Sequence, residues 1–103
     1  MPRLKPLSEK ELKSKGVDLS FVGSDFHELP NSIPTLAHRP EILKAAGGLW
    51  QAVMGLGTVD RGLKWLVGCL ASMSAGCKYC SAHTATGANT SGVPAEKVEA
   101  VWE

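Results

Sequence analysis

From residue 31 onward the apolar positions recur at helical intervals. Residues 41–54 (EILKAAGGLWQAVM) put Ile42, Leu43, Ala46, Leu49, Trp50 and Val53 on one broad face. Asn31 or Ser32 can cap the segment before it, where Pro34 fits a first turn, and Pro40 stops or restarts the helix. Each glycine of Gly47-Gly48 costs about 1 kcal/mol inside a helix, which predicts that another helix packs closely there. After Gly55 to Gly57, Thr58 or Asp60 caps a second helix over about 60–75. Leu63, Val67, Leu70 and Met73 form its stripe, flanked by Leu66 and Ser74, and Gly68, Ala71, Ser72 and Ala75 permit close helix contact. Gly76 breaks that helix, and residues 78–86 (KYCSAHTAT) restart one that ends near Gly87 or Gly92. A last helix over 95–103 is capped at Ser91 or Gly92, with Pro94 at its first position and Val98, Val101 and Trp102 on one side. It stops after barely two turns without a C-cap, which suggests a piece of a longer helical protein.

The N-terminal third reads differently. Ser8 and Glu11 have the spacing of a capping box, and Gly16 suits a C-terminal turn, so a short helix is predicted there. Its mostly charged face reads as a solvated arm. Residues 17–30 show no sustained period and end in proline, so they form a connector. Val17, Leu19, Phe21, Val22 and Phe26 can tuck against the body, and a strand at 19–22 is the alternative. The expected fold is an all-α compact helical bundle over residues 29–103, preceded by an arm and connector at 1–28.

Composition removes several function classes. With 103 residues, 44% hydrophobic and 20% charged, the chain has the make-up of one globular domain rather than a disordered segment. Eleven basic residues stand against ten acidic ones, mixed along the whole chain, so no face for nucleic acid is predicted. The longest apolar run, WLVGCLASM at 65–73, is about half the ~20 residues a bilayer span needs. The first sixteen residues contain no apolar signal core. A cytoplasmic protein without membrane contact is expected.

Three cysteines cannot all pair, and two of them form Cys77-Lys78-Tyr79-Cys80. Outside a secretory context such a pair points to redox or metal chemistry. Cys77, Cys80 and His83 recur every three residues, so all three fall within a 120° arc of one helix. Cys77 stands at the helix N-terminus, which favours a thiolate, and His83 lies one turn beyond Cys80. Two thiols one turn apart can close a disulfide while an imidazole takes a proton. Three alternatives stay open. Zinc would accept these groups with Cys69 as a fourth ligand, although a helix end intervenes and no second pair is present. A thioredoxin-type site would need a preceding strand, and here a long helix precedes the pair. The cysteines can also be inert and simply buried.

Ala75-Gly76-Cys77-Lys78-Tyr79-Cys80-Ser81-Ala82-His83-Thr84 resembles the core motif of the carboxymuconolactone decarboxylase-like family, in its alkyl hydroperoxidase D-like branch. The stretch from Leu29-Pro30-Asn31 to Leu36-Ala37-His38-Arg39-Pro40 resembles an upstream block of the same family, so the similarity covers roughly residues 29–103. The resemblance implies an all-α homo-oligomer that reduces hydroperoxides with an external dithiol or lipoyl-type reductant and needs no metal, flavin or haem. It also implies roles: Cys80 as the peroxidatic nucleophile, Cys77 as its resolving partner, and His83 as the base for Cys80. Two positions depart from the archetype. The branch places its histidine four residues after the second cysteine, where this chain has Thr84, although some relatives have it at three. It also has a glutamate twelve residues before the first cysteine, where this chain has Trp65. Glu41 and Asp60 are candidates for the missing carboxylate. A non-enzymatic helical assembly module and a decarboxylase are the other functions considered; the latter chemistry needs no dithiol. Cys69, Trp50 and Trp65 read as packing residues, and His38 as a helix-end partner. Tyr79 reads as a pocket wall or hydrogen-bond donor, Lys78 as a solvated charge, and His27 carries no signal.

Overall fold

The computed structural model describes residues 3–22, 28–55 and 57–101, and these residues are helical with no strand among them. The order is α1 (Glu9–Ser14), a 3₁₀ turn (Ser20–Val22), α2 (Ser32–Leu36), α3 (Pro40–Met54), α4 (Arg61–Ser74), α5 (Lys78–Thr90) and α6 (Ala95–Glu99). No helix among the described residues is long and apolar enough to cross a membrane. The chain divides into two compact units, the first running to Val53 and the second starting at Met54.

In the first unit the capping box forms as the sequence predicts. Ser8 Oγ receives the Glu11 amide, and the Glu11 carboxylate receives the Ser8 amide at 2.7 Å. The Ser8 amide and then the Ser8 hydroxyl, both donating to the Glu11 carboxylate, hold it below the usual glutamate range. Gly16 adopts φ 64° and closes α1 with a Schellman turn, its amide on Lys13 O and that of Val17 on Leu12 O. The arm is not merely solvated. Leu12 is buried in one cluster with Ala37 and Leu43, and Leu7, Val17, Leu19, Phe21, Leu29 and Ile33 pack around it. His38 Nε2–H donates to Lys5 O at 2.8 Å, and Leu7 N–H donates to Pro34 O, tying the arm down twice more. Residues 19–22 make a 3₁₀ turn and not a strand; Phe26 and His27 lie outside the described residues.

The close contact foreseen at Gly47-Gly48 exists at one glycine, and its partner is the short 3₁₀ segment that carries Phe21 and not an α-helix. A Cβ at Gly47 would lie 2.8 Å from the Phe21 ring, whereas nothing approaches Gly48. α3 buries Leu43 and Met54 and leaves Ile42, Leu49 and Val53 exposed.

The second unit is organised by α4 packed on α5. Asp60 caps α4, its carboxylate receiving the Leu63 amide at 3.1 Å. The face turned to α5 carries Gly62, Trp65 and Cys69, not the leucine–valine stripe. Trp65 is 2% exposed and lies on Gly87, where a Cβ would come within 2.4 Å of the indole. That contact explains why α5 runs through Gly87 to Thr90 instead of ending there. Gly92, at φ 92°, closes α5 with a Schellman turn that sets Val93 against Gly62. Pro94 caps α6 from one position outside the helix, and Trp102 lies outside the described residues.

Candidate functional site

The dithiol pair sits where two helix-end motifs share one residue. Gly76 takes φ 71° and ends α4 in a Schellman turn: its amide donates to Met73 O and the Cys77 amide donates to Ser72 O. Cys77, the last residue of that turn, is also the N-cap of α5, with extended backbone angles. Its carbonyl receives the Ser81 amide at 2.9 Å, and its sulfur receives the Cys80 amide at 3.3 Å. The α4 terminus therefore fixes where the first sulfur points, and the α5 terminus gives that sulfur a donor.

A sequence as polar as KYCSAHTATGANT stays helical because its hydroxyls turn onto its own backbone. Ser81 Oγ–H donates to Cys77 O, Thr84 to Cys80 O, Thr86 to Ala82 O and Thr90 to Thr86 O, at 2.7–3.0 Å. Cys77 is half-buried and Cys80 exposed, and both are thiols. The Cys80 thiol and then the Cys80 amide, both donating to the Cys77 sulfur, hold Cys77 below the ordinary thiol value. The same thiol contact, from the other side, pushes Cys80 up.

His83 is oriented by Tyr79. The Tyr79 carbonyl lies 2.8 Å from Nδ1, so that nitrogen carries the proton and Nε2 is the basic nitrogen of the neutral ring. The phenol ring packs on the imidazole with centroids 4.1 Å apart, a contact that neither role expected of Tyr79, pocket wall or hydrogen-bond donor, describes. All three candidate residues thus lie on the first turns of α5.

The remaining candidates are placed elsewhere. Cys69 is buried within α4, its thiol 3.8 Å from Met73 Sδ, as a packing residue would be. Among the described residues no three His, Cys, Asp or Glu side chains are grouped to hold a metal ion, so the set Cys69, Cys77, Cys80 and His83 is not gathered. Trp65, at the position where the resembled branch has a relay glutamate, is committed to the α4–α5 contact. Asp60 is engaged as the α4 cap, and Glu41 belongs to the other unit, beside Arg39. Sequence reading missed the double duty of Cys77 and the Tyr79–His83 pairing. The first was accessible from Gly76 standing directly before the cysteine, the second from the four-residue spacing.

Comparison with protein-family models, with curated proteins and with solved structures finds no match to this chain.

Proposed function

We propose that this chain is a thiol-dependent oxidoreductase of the alkyl hydroperoxidase D-like type, which reduces hydroperoxides at Cys77 and Cys80 and is recharged by an external dithiol or lipoyl-type reductant. The observation that carries the reading is the junction just described. One cysteine's sulfur accepts the backbone amide of the other at a helix N-terminus, with an oriented imidazole on the next turn. Two thiols in that relation exchange readily between dithiol and disulfide. The GC-x-YC-x-AHT pattern agrees with this chemistry.

Trp65 favours a second reading. Indole cannot relay a proton, so a helical assembly module that keeps the pair without efficient turnover is the competitor. Either reading calls for a homo-oligomer, because Leu63, Val67 and Leu70 line one face of α4 at 51%, 63% and 37% exposure.

Thiol counting after one equivalent of hydrogen peroxide separates the two. The oxidoreductase loses two of its three thiols far faster than free N-acetylcysteine at the same pH, keeps Cys69, and recovers both with dihydrolipoamide. Loss no faster than the free thiol leaves the assembly module. Light scattering on the same samples should show an oligomer at micromolar concentration, and a monodisperse monomer would remove the assembly claim from both readings.

A further inference from the structure

We propose that Cys77 is the attacking sulfur, that Cys80 resolves, and that His83 acts as the base of the second step and not of the first. The inference rests on the dithiol reading above and reverses the order that the resemblance implies. Its ground is the unequal position of the two sulfurs on α5. Cys77 Sγ is the N-cap acceptor of a thirteen-residue helix, aligned with the positive end of its dipole and in receipt of the Cys80 amide. Negative charge on that sulfur is met by the Cys80 amide, a donor already in place as the thiolate forms. Cys80 occupies the third helical position, and its own amide is committed to its neighbour's sulfur. A thiolate on Cys80, which is exposed, would be met by solvent and not by a backbone donor already in place. The directions of the two thiol shifts agree with this geometry.

His83 belongs to Cys80 by rise along the helix. Three residues separate them, about 4.5 Å along the axis, against about 9 Å from Cys77. With Nδ1–H held on the Tyr79 carbonyl, Nε2 is the nitrogen able to take a proton. The sulfur with the raised proton affinity is therefore the one that stands nearer the base.

The sequence of events balances as follows. Cys77 thiolate attacks one oxygen of the hydroperoxide and the O–O bond breaks. The alkoxide leaves, takes a proton from solvent as alcohol, and Cys77 becomes a sulfenic acid. Cys80 gives its proton to His83 and attacks the Cys77 sulfur. Hydroxide leaves, recovers the proton from the imidazolium as water, and the Cys77–Cys80 disulfide closes. Two electrons have passed from the dithiol to the peroxide, and an external dithiol returns them.

Single-turnover oxidation with one equivalent of hydrogen peroxide, trapped with dimedone and mapped by mass spectrometry, tests this order. Serine is itself a good N-cap, so Cys77→Ser and Cys80→Ser should both keep α5. Cys80→Ser is expected to form the sulfenate on Cys77 within about threefold of the wild-type first-step rate. Cys77→Ser should react about 10²-fold more slowly. His83→Ala should form the Cys77 sulfenate at a near wild-type rate but accumulate it, with disulfide closure slowed about 10²-fold and restored in part by added imidazole. A purely structural role for His83 would give neither the accumulation nor the rescue. A sulfenate on Cys80 in Cys77→Ser at the wild-type rate, with Cys80→Ser inert, overturns the order and leaves the dithiol reading standing. A wild-type chain that closes no disulfide and reacts no faster than free cysteine overturns both.

Discussion

Gly87→Ala is expected to cost the second unit about 3 kcal/mol, although alanine is the better helix former by about 1 kcal/mol. The added methyl would stand 2.4 Å from both Cδ2 and Cε2 of Trp65 and 2.7 Å from Cε3. The neighbour is a rigid ring that is 2% exposed, not the tip of a flexible chain, so relief requires α5 to move away from α4. At the far end of the contact Gly62 is also tight, its missing Cβ 2.8 Å from Val93 Cγ2, which leaves little room to slide. Urea unfolding followed by far-UV circular dichroism gives the change directly. Trp65→Leu should be destabilising alone but should recover part of the loss in the Gly87→Ala background, because the smaller side chain vacates the space the methyl needs. A Gly87→Ala variant as stable as the parent would show that the indole does not lie on that glycine.

The same contact shows what the sequence makes legible and what it hides. Helix positions along α3, α4 and α5 follow from periodicity and punctuation, since Asp60, Gly76 and Gly92 act through local capping alone. The buried face does not follow so readily. Large aliphatic residues at helical spacing single out Leu63, Val67 and Leu70, yet α5 lies against Gly62, Trp65 and Cys69. A stripe of small residues around one tryptophan allows helices to approach closely, and the missing volume is invisible to any count of apolar side chains. The candidate site was legible for the opposite reason. Its geometry is set within the fourteen residues from Gly76 to Asn89, where spacing along one helix fixes the neighbours. What the sequence left open was the direction of the Cys77 side chain, which depends on the turn that ends α4 as well as on the helix that follows.

Leu12→Ala should destabilise the first unit by about 3 kcal/mol, the usual range for a leucine removed from a core being 2–5 kcal/mol. By sequence alone α1 is a charged six-residue helix, too short to persist in water by itself. It is held by Leu12, 6% exposed, against Ala37 and by way of them Leu43, at 0% and 2%. A solvated arm would lose nothing on this substitution, so the magnitude discriminates between the two descriptions. The capping box adds a pH signature. Its bonds hold the Glu11 carboxyl below the usual value, so the stability they provide is present above the unfolded glutamate value and fades as pH falls through the lowered one. Ser8→Ala removes the hydroxyl partner but keeps the amide, the larger cause, so it should weaken that acid limb in part while leaving the Leu12 contribution intact. Leu12→Ala and Leu43→Ala, combined in a double-mutant cycle under urea, should be non-additive by at least about 0.5 kcal/mol because they share one cluster. Additive losses, or a Leu12→Ala cost under about 0.5 kcal/mol, would detach α1 from the core.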